Sequence, residues 1–295
     1  MITVPAPPPT RSAVQADLAT RLGSPNEARW MVEQVLGSGP PSAGLEAAGL
    51  AELDRLANRR LAGEPLQYVL GTWAFRSLDL DVDLRALIPR PETEQVVEVA
   101  LRELRRLPCT GPGRAAPVVV DLGTGSGAVA LSVATETDAL VWAVDVDPDA
   151  LALAAANRDR IAREQPDLID RVVLASGSWF GALVPELRGR VDLVVSNPPY
   201  VAEAEWPELD PEVRREPRVA LVAAAGTDGT PGLADVEAVL RGAAGWLARP
   251  GAVVVELAPH QAPAAVTLAR TLGFTEVRVE RDLAGRDRAV VGRVS

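Results

Sequence analysis

Lysine is absent: all 30 basic residues of this 295-residue chain are Arg. That excludes a catalytic lysine, Schiff-base chemistry and the lysine of a phosphate-binding P-loop. There is one cysteine, Cys109, and one histidine, His260. A disulfide within the chain is impossible, a Cys/His zinc site is close to impossible, and a Ser-His-Asp triad would have to be built on His260. No metal site is expected. No apolar run approaches the roughly 20 residues of a membrane span. The first ten residues are Pro-rich and lack the apolar core of a signal peptide. These absences predict a soluble, cytoplasmic protein with no membrane partner. Positive charge is also in deficit: 40 acids against 30 bases leave a net charge of −10. Such a chain repels a phosphate backbone, so no stable nucleic-acid partner is expected.

What is present divides the chain in two. Residues 11–72 read as a small helical module. Val14, Leu18 and Leu22 recur at helical spacing. Ser24-Pro25-Asn26-Glu27 reads as a capping box with Pro at the first helical position, opening a helix that runs to Leu36. A further helix is predicted over 45–62. From 73 to 90 apolar and polar residues partly alternate, which predicts a β-hairpin or extended linker. Ile88-Pro89-Arg90-Pro91 is a rigid extended turn, because each proline fixes its own φ and restricts its predecessor. Arg90, held in that turn, is predicted to shape the substrate entrance. A helix follows over 92–107. From 117 onward apolar strands alternate with helices, the pattern of a mostly parallel sheet covered on both faces.

The first chemical constellation is Asp121-Leu122-Gly123-Thr124-Gly125-Ser126-Gly127, which follows a strand and opens a helix. Glycines there let the backbone turn sharply and approach a ligand closely. Asp145 ends the next strand, where a carboxylate accepts hydrogen bonds from ribose hydroxyls. With Ala128 as the third small residue, the run also satisfies the dinucleotide pattern. Asp121 favours adenosylmethionine instead: its carboxylate would repel a pyrophosphate and suits the ammonium of a methionine tail. Trp179, after the third strand of this unit, is placed to pack on a purine.

The second constellation is Asn197-Pro198-Pro199-Tyr200, directly after the apolar strand 191–196. The Asn side-chain oxygen accepts an N–H of an incoming NH₂ group. Pro199 has no N–H, and the stiff Pro-Pro backbone holds the Pro198 carbonyl outward as a second acceptor. Tyr200 offers a flat face to a conjugated amide or base. Two acceptors hold the nitrogen toward an electrophile, so catalysis needs positioning and electrostatics and no strong base.

These residues resemble a class I adenosylmethionine-dependent amino-methyltransferase. Gly63-Glu64-Pro65-Leu66-Gln67-Tyr68, Ile88 to Glu94 and Glu216-Pro217-Arg218 narrow the resemblance to the HemK/PrmC family, the glutamine N5-methyltransferases of peptide chain release factors. The resemblance implies a Rossmann-like α/β fold with a mostly parallel seven-stranded sheet. It implies an N-terminal helical substrate-docking domain over 1–72, the linker over 73–90 and a catalytic domain over 91–295. The cofactor implied is S-adenosyl-L-methionine, held by Asp121, Gly123, Thr124, Gly125, Ser126, Gly127, Asp145, Trp179 and Asn197. The substrate glutamine of a Gly-Gly-Gln motif falls to Asn197, Pro198, Pro199, Tyr200 and Arg90, with Asn197, Pro198 and Tyr200 catalytic. The partner is a release factor, and the enzyme is expected to act as a monomer. Ribosomal-protein glutamine methylation and adenine-N6 methylation are the alternatives, since both present the same planar NH₂. Two features set the chain apart. Ser178 stands where many relatives carry Asp, and the turn Leu257-Ala258-Pro259-His260-Gln261 lacks their glycine, so no role is assigned to it.

Overall fold

The computed structural model describes residues 8–42, 45–107 and 116–295. Cys109, expected to be inert in a loop, lies outside the described residues, as does most of the Pro-rich start. The chain forms two compact units, the first ending at Thr72 and also taking in Pro211–Arg215.

The first unit is helical: α1 (Arg11–Leu22), α2 (Pro25–Leu36), α3 (Ala47–Leu61) and the short α4 (Leu66–Leu70). Its core gathers Leu18, Met31, Val32, Leu53, Leu56, Leu66 and Val69. Burying each such side chain contributes about 1.5–3 kcal/mol. Ser24 caps α2 by accepting the Glu27 N–H at 3.3 Å. The expected capping box closes only from that side. The Glu27 carboxylate is taken by Arg60 at 2.7 and 3.0 Å, because a bidentate guanidinium outcompetes one backbone N–H. Arg60 also reaches Glu212 at 2.7 Å, which ties the 211–215 segment into this unit. The turn α4 was not visible in the sequence, since five residues are too few to display a helical period.

The second unit starts at Trp73, within a two-stranded sheet of β1 (Thr72–Phe75) and β2 (Leu78–Asp81), followed by α5 (Pro91–Arg106). Then come β3 (Val118–Leu122), α6 (Ala128–Glu136), β4 (Leu140–Asp145), α7 (Pro148–Ile161), α8 (Leu168–Arg171), β5 (Val172–Ser176) and β6 (Val191–Ser196). After the paired β7 (Val201–Ala202) and β8 (Val222–Ala223) follow α9 (Ala234–Trp246), β9 (Leu247–Glu256), α10 (Ala262–Thr271), β10 (Arg278–Arg281) and β11 (Asp287–Val294). Seven strands form one sheet in the order β10-β11-β9-β6-β3-β4-β5. β3, β4, β5, β6 and β9 run parallel. β11 is antiparallel to both neighbours.

Alternation along each strand feeds two cores. Leu193 and Val195 of β6 pack with α5 and α6, while Val194 points to the core shared with α9 and α10. The strand order also explains where a ligand can sit. From β3 the chain moves outward to β4 and β5, then crosses back to place β6 on the other side of β3. The reversal opens a crevice beyond the carboxyl ends of β3 and β6. The ends of β3, β4, β5, β6 and β9 all face that edge, and they carry the residues discussed next.

Candidate active site

A cleft of about 260 Å³ opens at this edge. Gly123, Thr124, Gly125, Ser126, Asp145, Ser178, Trp179, Asn197 and Pro199 all line it, together with Ala86 and Ile88 of the segment before α5. The loop after β3 holds Gly123 at φ 73° and Gly125 at φ 56°, left-handed conformations that favour glycine. Trp179 adopts the same region at φ 46° without being glycine, a strained backbone in the cleft wall.

The loop is pinned by two carboxylates. Asp145 accepts the Gly125 N–H at 2.8 Å and the Asp147 N–H at 3.0 Å. Burial raises its pKa above the ordinary value. Asp121 stands behind the loop and does not line the cleft. Its Oδ2 accepts the Thr124 hydroxyl at 2.6 Å and the Ala130 N–H at 3.1 Å. Its Oδ1 is buried with no partner. Desolvation pushes the group up to about 7. An orphaned buried carboxylate oxygen beside glycines that admit a ligand, with Asp145 one strand further on, fits a nucleoside that carries a positive charge. Gly127 plays another part: it caps α6, and a Cβ there would come within 3.0 Å of Leu131 and 3.3 Å of Ala154.

The loop after β6 is braced from three sides. Asn197 Nδ2 donates to Thr93 Oγ1 at 3.2 Å. Thr93 Oγ1 in turn donates to Glu256 Oε2 at 2.8 Å. The Tyr200 hydroxyl donates to Glu256 Oε1 at 3.3 Å. Gln261 Nε2 donates to the Tyr200 carbonyl and the Pro231 carbonyl, both at 2.9 Å. Gly232 passes so near that a Cβ would sit 2.2 Å from the Tyr200 carbonyl oxygen, so only glycine fits.

Several placements differ from those read in the sequence. Pro198 and Tyr200 lie outside the lining of the cleft, and the Tyr200 hydroxyl faces inward to Glu256, where burial raises its pKa. Arg90 does not line the cleft either. Its guanidinium is paired with the buried carboxylate of Glu216, whose other oxygen accepts the Ile88 N–H at 3.0 Å. Arg90 thus braces the Ile88–Pro89 wall from behind. Arg90→Ala is expected to cost about 1.5–3 kcal/mol in denaturant unfolding, because it strands Glu216, and Arg90→Ala with Glu216→Gln is expected to recover part of the loss. His260 is exposed on the turn after β9. Sequence reasoning missed Thr93, Glu256 and Gln261, which meet only through the topology, and also Asp235. Asp235 lines the cleft from the first turn of α9, with a pKa raised by burial. A first-turn acid is so common that nothing in the sequence marks it.

This fold and crevice define a class I methyltransferase. A methyltransferase from Pyrococcus furiosus superposes with a TM-score of 0.51 at 18% identity, over 84% of this chain and 98% of that one. The METTL16 methyltransferase domain superposes with a TM-score of 0.51 at 17% identity, over 96% and 92%. The methyltransferase small domain family matches residues 104–210. Sequence relatives are more specific. The release factor glutamine methyltransferase of Bordetella pertussis is 41% identical over 280 residues, covering 92% of this chain and 96% of that one. That of Deinococcus radiodurans is 38% identical over 285 residues, covering 93% and 94%. The chain belongs to the release factor glutamine methyltransferase family.

Proposed function

We propose that this protein transfers a methyl group from S-adenosyl-L-methionine to the side-chain amide nitrogen of the glutamine in the Gly-Gly-Gln motif of peptide chain release factors. The observation that carries this reading is Asn197 in the wall of the same cleft as Gly123–Gly125 and Asp145, at the end of the neighbouring strand. Gly123 to Ser126 would hold the cofactor's tail and Asp145 its ribose, while Asp121, behind the loop, would fix Thr124 and lend its charge to the ammonium from a distance. When bound, the cofactor supplies an electrophilic methyl carbon on a positively charged sulfur.

The chain's own groups do the rest. An amide nitrogen is a poor nucleophile, because its lone pair is delocalised into the carbonyl. Asn197 Oδ1, in the cleft wall, accepts one of its hydrogens, which turns the nitrogen toward the cofactor pocket and raises its electron density; the Pro198 carbonyl, behind that wall, would serve as the second acceptor only once the amide passes the cleft lining. Pro199 keeps a competing N–H out of the loop. The methylated nitrogen is a strong acid and gives one of its two hydrogens to solvent, so no side chain is asked to act as a strong base; preorganised acceptors carry the catalysis.

Transfer of labelled methyl to a purified release factor, a ribosomal protein extract and adenine-containing duplex DNA in parallel tests the substrate class. Label on the release factor alone is expected. Label on the ribosomal protein or the DNA alone would assign the same cleft to a different amine.

A further inference from the structure

Thr93 and Glu256 form a buried hydrogen-bond chain that ends on Asn197, and nothing in the transfer step described above uses it. We propose that Glu256, acting through Thr93, fixes which end of the Asn197 amide faces the cleft, and so sets whether the site accepts an NH₂ group. The proposal rests on the amide-methylation reading and names positioning residues for it.

A threonine hydroxyl has one hydrogen to give and lone pairs to offer. Thr93 gives its hydrogen to Glu256 Oε2 at 2.8 Å, so a lone pair faces Asn197. Asn197 answers with Nδ2 at 3.2 Å. Its Oδ1 is then the atom left for an incoming N–H. Rotating the amide by half a turn would present an NH₂ to the substrate's NH₂, donor against donor, and binding in the reactive pose would fail. Asn alone does not choose between these orientations, since its two ends are nearly the same size. The direction of the chain makes the choice, and it starts at Glu256.

Glu256 can start it only as an acceptor. Ionised, it accepts from Thr93 on one oxygen and from Tyr200 on the other, at 3.3 Å. Protonated, it still accepts from Thr93 when its hydrogen sits on Oε1, but a hydrogen on Oε2 is donated to Thr93 Oγ1. Thr93 then turns its hydrogen to Asn197, which answers with Oδ1, and NH₂ faces the cleft. The groups facing Glu256 pull both ways. Arg288, from β11, favours the ionised form, and its buried Nε has no partner. Glu92, from α5, opposes ionisation, while the Thr93 and Tyr200 hydroxyls favour it. Full burial is the largest influence and pushes the carboxyl up to about 7. The switch therefore falls near pH 7. The acceptor arrangement is enforced above about 7, and both arrangements become accessible as pH falls below it.

Methyl-transfer kinetics of the intact enzyme at saturating cofactor test this, with cofactor affinity from calorimetry and thermal melts to verify folding. Wild-type kcat is expected to fall to a lower plateau as pH drops through about 7. Thr93→Val removes the lone pair that holds Nδ2, and kcat is expected to drop by about 10–100-fold with cofactor affinity unchanged. Thr93→Ser restores the hydroxyl and is expected to stay within about threefold of wild type. Glu256→Gln cannot ionise, and its amide can turn Oε1 toward Thr93, so activity is expected to persist without the acid limb. Wild-type kcat in Thr93→Val, or an unchanged acid limb in Glu256→Gln, would overturn the proposal. Wild-type enzyme that labels adenine and no glutamine would overturn the substrate reading alone, and the same variants then measure the chain's effect on that amine.

Discussion

Asn197→Ala is expected to lower methyl transfer at saturating cofactor by about 10²–10³-fold, the effect of removing one preorganised polar group from a site that works by positioning. The change deletes the acceptor for one substrate N–H and leaves the glycine loop, Asp121 and Asp145 untouched. Cofactor affinity is therefore expected to change far less than kcat. The backbone should hold, since Tyr200 remains tied to Glu256 and its carbonyl to Gln261. Calorimetry with the cofactor and steady-state kinetics with a release factor separate the two quantities. A loss of affinity as large as the loss of kcat would show that Asn197 serves the cofactor pocket instead.

Asp121→Asn is expected to produce the second large effect, and it has opposite signs in two measurements. The substitution keeps an oxygen for Thr124 and Ala130 and removes the charge. The Asp121 charge acts on the cofactor's ammonium from behind the loop, so removing it is expected to cost about 1–2 kcal/mol of binding. The cofactor-free protein should respond the other way. The carboxyl is raised from 3.8 to about 7 by burial, so the folded state prefers it protonated. Its contribution to stability is complete below the ordinary carboxylate pKa and is lost as pH rises through about 7, at a cost of a few kcal/mol. Asp121→Asn is never ionised. Cofactor-free melts are thus expected to favour the variant at pH 8 and to converge with the parent near pH 4. Equal pH dependence in the two proteins would show that burial does not hold Asp121 protonated in the folded state.

The parts of the site that were legible in the sequence are those held by consecutive residues. Asp121 to Gly127 and Asn197 to Tyr200 each carry their chemistry in one loop, with a strand just before it, and β6 begins and ends where the apolar run 191–196 does. The strand-helix alternation was equally plain, because the buried strands are predominantly apolar. What sequence could not reveal depends on contact across the sheet. Thr93 and Glu256 are 163 positions apart and meet only because α5 covers β9 and β6. Gln261 sits in the turn to which no role was assigned, yet it holds the Tyr200 carbonyl. Arg90 was marked for its rigid turn, but the direction of its side chain was set by Glu216, which is 126 positions away. Local stiffness can be read from prolines. The partner that a long side chain finds cannot.

The methyl group is expected to arrive on the side-chain nitrogen of one glutamine. Fragmentation mass spectrometry of a release factor after reaction with this enzyme locates it directly. A single methyl on the side chain of the Gly-Gly-Gln glutamine, absent when that residue is Ala or when the enzyme carries Asn197→Ala, is the predicted result. A methyl on any other residue, or one still present in the Gln→Ala factor, would contradict it.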